Sequence, residues 1–365
     1  MENSTNIESI VKEFEQKREI YVDFGKKLSE FFRNELKKAN IDDAIIKDRA
    51  KGVDEFSKKI VRPGKKYIDP LKQITDLTGV RIIVYYTDLI KTVEEIIKRE
   101  FEIDPENSID KSTTYKPNTF GYLSMHKIIS LNAIKQEQSE WKDFVGLKAE
   151  IQIRTSLQDA WATVSRALQY NQEDDVPDIL KRKLFRLAGL FELCDEQFLF
   201  IKDETHRRLN ELKQQIEAGN TKEIKIDFLS ILQFLSSSTM MREAIGIATR
   251  YRIVGNQEIL EHYNRADCSL VTEECLRLGI KKIEQLEEVL RKTISGNEEF
   301  LKLVSHGRVW KSSNAFILFL LIIKSFPDQF EPNYLVKQYG WEYLIAKAIT
   351  DISKEMKTKY NYITS

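Results

Sequence analysis

An α+β fold, a mixed sheet flanked by helices and followed by an all-helical region, is the architecture this sequence predicts, on three observations. The run Val80–Tyr86 (VRIIVYY) is β-branched and aromatic throughout, the mark of a strand on a pleated surface. Around it, strand and helix patterns follow one another as strand, helix, strand, strand, helix, which suits a mixed or mostly antiparallel sheet. Beyond Gly219-Asn220 the apolar spacings read as helical to the C-terminus.

The first element is helical. From about Ile7 to Ala39, apolar positions (Phe14, Tyr21, Phe24, Leu28, Phe32 and Leu36 among them) recur at helical spacing and stop near Asn40, as one long amphipathic helix or two. Ala44–Lys66 is strongly basic, broken at Gly52 and Pro63-Gly64, and reads as a short strand, a turn and a helix around Asp54–Val61. After the strand Val80–Tyr86, Asp88 is placed to cap a helix from Leu89 to about Phe101, with Val93, Ile96 and Ile97 inward. A polar stretch, Pro105–Asn118, leads to strands through Met125–Leu131 and Leu147–Thr155, then to a helix from about Ser156 to Tyr170. A long helix from Asp178 to about Ala218, rich in Leu and Phe, ends at Gly219-Asn220, a helix stop that sets the expected domain boundary. Residues 1–218 then form the first domain and 219–365 the second, whose helices read as 228–234, 240–252, 269–278, 283–294, 298–304, 315–326 and 343–359.

A chain of 365 residues can bury a full core in each of two domains. Lys plus Arg and Asp plus Glu both number 57, so any affinity for nucleic acid must come from a local patch. Three cysteines without a C-x-x-C pair argue against a disulfide framework and read as buried or free thiols. The N-terminal segment MENSTNIESIVKEFEQK has no basic stretch leading into an apolar one, so no secretory signal is expected. The longest apolar run, Ala315–Ile323, falls well short of the ~20 residues that span a bilayer and reads as a buried helix. The expectation is a cytoplasmic protein without a membrane partner.

Four polar clusters stand in order along the first domain: Arg49, Lys51 and Lys59; Asp76 with Arg81; Gly121-Tyr122-x-Ser124-x-His126; and Glu150-x-Gln152-x-Arg154-Thr155. Several cations beside two strand-borne carboxylates suit a metal-assisted reaction on a phosphate chain. Asp76 and Glu150 offer the oxygen ligands that Mg²⁺ takes, and Glu150 alternatively serves as the base for an attacking hydroxyl. Alternation puts Glu150, Gln152 and Arg154 on one face of a strand, a polar stripe that is costly to bury without partners. Arginine suits bidentate phosphate contact and lysine point-charge contact. Tyr122 is either a stacking platform for a base or a half-buried sheet tyrosine, and a lone strand histidine such as His126 is more often a structural donor than a catalyst.

With Gly79, Trp161-Ala162 and Tyr170 added, these clusters resemble the synthetase domain of the RelA/SpoT alarmone family over about residues 40–175. The resemblance implies a nucleotidyltransferase-like sheet that moves the β,γ-pyrophosphate of ATP onto a ribose 3′-hydroxyl. Carried over by position, Arg49, Lys51, Lys59 and Arg81 would grip ATP. Asp76 would ligate Mg²⁺, and Glu150 would ligate it or activate the hydroxyl. Tyr122 would stack on the acceptor base, with Lys116, Ser124, His126, Gln152 and Arg154 on the acceptor side. The chain departs from the family on that side only: Leu123 stands where a basic residue is usual, Ser165-Arg166 where Glu-His is, and Asn171 where a lysine is, and one extra residue lies between Lys116 and Gly121.

The resemblance leaves three acceptors open: GTP or GDP, giving (p)ppGpp; an adenine nucleotide; or the 3′ end of tRNA, as in toxin-like relatives. A catalytically inactive nucleotide sensor is the reading from another class, and the intact Asp76 and Glu150 argue against it. No histidine precedes His126, so the family's His-Asp hydrolase half is not expected, and synthesis needs another restraint. Residues 219–365 are the candidate: a regulatory or sensing domain, a fused antitoxin in phage defence, or the seat of a protein trigger or oligomer contact. Within them, residues 277–290 resemble a helix-hairpin-helix turning at Gly279, although an ordinary helix pair is the simpler reading.

Overall fold

The computed structural model describes residues 2–62, 64, 67–110, 124–168, 177–254, 260–307 and 309–361. They divide into two compact units, Met1–Lys202 and Asp203–Ser365.

The first unit opens with α1 (Glu2–Lys38), a single helix. Phe24, Leu28, Phe32 and Leu36 recur every fourth residue and are buried against the sheet. The helix ends where Asn40 turns left-handed (φ 57°). There the Ile41 N–H bonds the Leu36 carbonyl at 2.8 Å and the Asn40 N–H bonds that of Lys37 at 3.0 Å, which satisfies carbonyls a helix end would strand.

Then follow β1 (Ile45–Ala50), α2 (Val53–Ile60), the single turn α3 (Pro70–Gln73), β2 (Thr78–Val84), α4 (Thr87–Glu100), β3 (Phe101–Asp110), β4 (Met125–Leu131), the short α5 (Ala133–Glu137), β5 (Ala149–Thr155) and α6 (Ser156–Leu168). The strands form one sheet in the order β1-β2-β5-β4-β3. β2 and β5 run parallel and the other pairs antiparallel, so the sheet is mixed, as the alternating elements predict.

Two local expectations are corrected. The polar stretch assigned from Pro105 is in part strand β3. It lies at a sheet edge, pairs only with β4 and slips register between Asp104 and Ile109, so it carries proline and polar residues that an inner strand would not. Asp88 is not the cap of α4: Tyr86 holds that place without a side-chain bond, and Asp88 lies in the first turn, where its charge still favours the helix N-terminus.

The long helix α7 (Asp178–Glu217) runs through the division between the units. Its last turns, with Leu212 and Ile216 buried, belong to the second unit's core, so the division falls at Lys202/Asp203 and not at Gly219. The second unit continues with α8 (Phe228–Ser237), α9 (Thr239–Arg250), α10 (Leu260–Arg277), α11 (Ile283–Lys292), α12 (Asn297–Ser305), α13 (Asn314–Ser325), α14 (Pro332–Tyr339) and α15 (Tyr343–Tyr360). Two-residue strands β6 (Ile253–Val254) and β7 (Trp310–Lys311) pair in parallel. α13 holds the apolar run from Ala315, and apart from Phe316 that run is buried to Ile323. Among the described residues no helix is long and apolar enough to cross a membrane.

Gly279 takes φ 80° after α10, and the Ile280 N–H closes back on the Cys275 carbonyl at 2.8 Å. The next residues bond the backbone of residues 224–226 (Ile226 N–H to the Lys281 carbonyl, Ile283 N–H to that of Ile224, both 2.9 Å). Strand-like pairing within the unit thus occupies this turn, which favours an ordinary helix pair. Burial pushes the thiols of Cys268 and Cys275 up to about 12, so they are inert at neutral pH.

The fully buried Lys324 carries a prediction. Its Nζ donates to the carbonyls of Thr293 and Ser295 and, at 2.6 Å, to Asn297 Oδ1. Burial pulls its pKa from 10.5 down to about 7. Between those values the unfolded chain binds the proton more fully than the folded one, so this group makes stability rise with pH, by at most about 1.4 kcal/mol per unit. Lys324→Met is expected to flatten the dependence of the urea midpoint on pH between 7 and about 9. It also strands three oxygens, at a cost of about 2–4 kcal/mol at pH 7. A variant with the parent's pH slope would refute the assignment.

Candidate active site

Register across the sheet assembles the site. Arg49 of β1 lies opposite Gly79 of β2, which lies beside Glu150 of β5. Two residues on, Lys47, Arg81, Gln152 and His126 line up across β1, β2, β5 and β4. Directly paired residues share a face, so one face carries a row of basic, acidic and amide groups over four strands. Gly79 contributes no side chain between Arg49 and Glu150; a Cβ there would stand 3.6 Å from Arg49 Cγ.

Asp76 sits at the entrance to β2. Its Oδ1 takes the Lys59 ammonium at 2.7 Å and its Oδ2 that of Lys51 at 2.9 Å. Lys51 is positioned by its own backbone, whose N–H bonds the Leu77 carbonyl and whose carbonyl takes Arg18 Nε at 3.1 Å. Lys59 comes from the last turn of α2. Burial raises the Asp76 carboxyl, but hydrogen bonds and charge from the two lysines outweigh it and hold the pKa below the ordinary value. Arg49 is half exposed, with Glu55 3.9 Å away.

Glu150 is held differently. Its Oε1 lies 3.0 Å from His126 Nδ1, and its Oε2 accepts from Gln152 Nε2 at 2.6 Å. Burial again raises the carboxyl, and the His126 and Gln152 contacts bring it below the ordinary value against the opposing charge of Asp76. Both carboxylates are therefore ionised at neutral pH, and the charge of Asp76 is felt at Glu150.

The stripe on β5 is satisfied by itself and by one residue that sequence reading missed. Arg154, almost fully buried, donates to Gln152 Oε1 (2.6 Å), Ser124 Oγ (3.3 Å) and Asp159 Oδ1 (3.2 Å). Asp159 also takes Arg81 Nη1 at 3.0 Å, so a single carboxylate on the first turn of α6 aims two arginines. The sequence signal was there, an acid one helical turn beyond Thr155, but it named no partner. Arg81 Nε is buried with no hydrogen-bond partner among the described residues. At the end of β5, Thr155 Oγ1 donates to the buried Asp195 of α7 at 2.7 Å, a link spanning forty positions that no local pattern announces.

Of the residues singled out from sequence, Arg49, Lys51, Lys59, Asp76, Arg81, Ser124, His126, Glu150, Gln152 and Arg154 are thus linked by register or by bonds. Lys116, Gly121, Tyr122, Leu123, Tyr170 and Asn171 lie outside the described residues. Among the described residues no group of three or more His, Cys, Asp or Glu could hold a metal unaided. Two carboxylates with oxygen donors nevertheless fit Mg²⁺, which takes one or two from protein and the rest from phosphates and water.

Residues 48–175 match the family model described as a region found in RelA/SpoT proteins. The chain is 32% identical over 160 residues to GTP pyrophosphokinase YwaC of Bacillus subtilis (strain 168), covering 43% of this chain and 73% of that protein. It is 26% identical over 150 residues to GTP pyrophosphokinase YjbM of the same strain, covering 40% and 67%. Among solved structures it is similar to the small alarmone synthetase 2 from Bacillus subtilis (30% identity, TM-score 0.43, 52% of this chain and 98% of that one). It is also similar to a GTP pyrophosphokinase family protein from Streptococcus pneumoniae (26% identity, TM-score 0.43, 53% and 94%).

Proposed function

The chain belongs to the RelA/SpoT family, and we propose that it transfers the β,γ-pyrophosphate of ATP to the 3′-hydroxyl of GTP or GDP, releasing AMP and giving (p)ppGpp, with Mg²⁺ as cofactor. The observation that carries this reading is the pair of ionised carboxylates, one clasped by two lysines and the other set beside a histidine on the adjoining strand. Asp76 and Glu150 would hold the ion, which offsets charge on the phosphates. Lys51 and Lys59 would then turn from Asp76 to the phosphate chain, joined by Arg49 and by Arg81, whose Nε has no hydrogen-bond partner among the described residues. Alternatively, Glu150 would take the proton of the attacking 3′-hydroxyl as the hydroxyl oxygen bonds to the β-phosphorus and the bond from that phosphorus to the AMP oxygen breaks.

The test is incubation of the purified chain, whole and truncated after residue 220, with γ-³²P-ATP and Mg²⁺ and, in separate reactions, GTP, GDP, AMP, ATP and deacylated tRNA. Label on GTP or GDP supports the proposal. Label on tRNA or an adenine nucleotide selects the toxin-like alternative, since the departures at Leu123, Ser165-Arg166 and Asn171 leave the acceptor open. Label on none sinks pyrophosphate transfer and leaves a nucleotide sensor.

We also read residues 219–365 as a restraint on synthesis, on the grounds of the region's length and helical content. A chain truncated after residue 220 is expected to transfer label at least about tenfold faster, a lost restraint of about 1.4 kcal/mol. No gain would refute this, and with it a fused antitoxin or a protein trigger acting through that region.

Asp159 supplies a prediction of its own. Asp159→Asn removes the charge that aims both Arg81 and Arg154, so KM for ATP is expected to rise about tenfold with a smaller fall in kcat, since positioning of the bound phosphates is what is lost. An unchanged KM would show that Asp159 serves the fold alone.

A further inference from the structure

The inner stripe of α7 carries one residue that its spacing does not call for. Leu184 and Ala188 are buried against Trp161 and Ala162, with Phe191 packed beside them. Asp195 follows four residues later on the same stripe and is only 4% exposed, and Leu199 continues it half-buried. A carboxylate in an apolar seam is costly to desolvate, and this one is thinly partnered. Its Oδ2 accepts from Thr155 Oγ1 at 2.7 Å, while Oδ1 has no hydrogen-bond partner among the described residues. Burial accordingly pushes its pKa above the ordinary value, against the Thr155 bond. Docking of the helix does not depend on it. Trp161 Nε1 donates to the Leu184 carbonyl at 3.0 Å, and Lys202 pairs with Asp88 of α4.

What the acid does is visible at Thr155. A carboxylate only accepts, so it fixes the hydroxyl hydrogen of Thr155 and leaves that oxygen's lone pairs to other donors. Thr155 Oγ1 accepts from the Gln158 N–H at 3.1 Å, and Gln158 Oε1 accepts from the Thr155 N–H at 3.0 Å. The pair caps the first turn of α6 reciprocally. The next residue is Asp159, the carboxylate that takes both Arg81 and Arg154. We propose that Asp195 is a positioning residue for ATP: through Thr155 it fixes the first turn of α6, and with it the aim of Asp159 on Arg81. This rests on the reading of Arg81 as an ATP contact. Leucine at position 195 would complete the apolar stripe, so the acid lowers the stability of the docked helix while serving the site.

Affinity for α,β-methylene ATP with Mg²⁺, measured by calorimetry, tests this without depending on transfer. Asp195→Leu branches at the same atom and is expected to weaken that affinity about fivefold, because small misplacements spoil phosphate contacts, with no fall in melting temperature. Asp195→Asn keeps an acceptor oxygen for Thr155 and should stay within about twofold of the parent. In the Asp159→Asn background Asp195→Leu should add nothing, since the path to Arg81 is already cut. Thr155→Val cuts the same path at its middle and should match Asp195→Leu in both backgrounds. Parent-like affinity in the Asp195→Leu chain would overturn the proposal, as would a loss that adds in full to that of Asp159→Asn. A parent that binds the analogue yet transfers no label sinks the reaction and leaves these affinities to decide the role of Asp195. One that does not bind it sinks both.

Discussion

Glu150→Gln is expected to lower pyrophosphate transfer about 10³-fold or more, with little change in melting temperature. Glutamine keeps the size of the side chain and can still bond Gln152 and His126, so the sheet around it has no reason to reorganise. What it loses is charge. It can neither take the proton of a 3′-hydroxyl, a role worth about 10²–10⁴ in rate, nor serve as an anionic ligand to Mg²⁺. The assay is the labelled transfer reaction on a variant shown by melting to be folded. A rate within tenfold of the parent would remove Glu150 from both roles. Asp76→Asn gives a contrasting result: it leaves the ammonium groups of Lys51 and Lys59 facing each other across a neutral amide, so it should lower both stability and rate.

Arg154→Met carries the largest expected loss of stability. The guanidinium is almost fully buried and engages three separate acceptors. Removing one partner of a buried charged network leaves the others desolvated and unpaired, at about 3–5 kcal/mol. In a unit of this size that corresponds to a fall in melting temperature of roughly 10 °C. Arg154→Lys should recover little, because an ammonium cannot span Gln152, Ser124 and Asp159 as the planar fork does. Thermal melts of both variants decide the matter. A methionine variant that melts with the parent would mean the stripe is held by the sheet alone.

The legible part of this protein was its local part. Helical spacing in α1 and the β-branched run of β2 announced themselves because burial of one face imposes a period on the residues that form it. The residues Arg49, Arg81, His126, Glu150, Gln152 and Arg154 were legible for a related reason, since each lies along a strand, where alternation alone says which side chains share a face. β3 escaped because an edge strand pairs on one side and is free to carry Pro105 and a polar sequence.

What the sequence determined by itself, then, was the mixed sheet, the helical second half and the residue types a phosphate and a divalent ion would need, since all of these follow from periodicity and chemistry within short windows. Only the tertiary structure decided who meets whom. It placed Asp76 between Lys51 and Lys59, gave Asp159 two arginines to aim and tied Thr155 to Asp195. Those contacts join residues far apart in the chain. Strand register and helix docking set them, and no local pattern of residues encodes either.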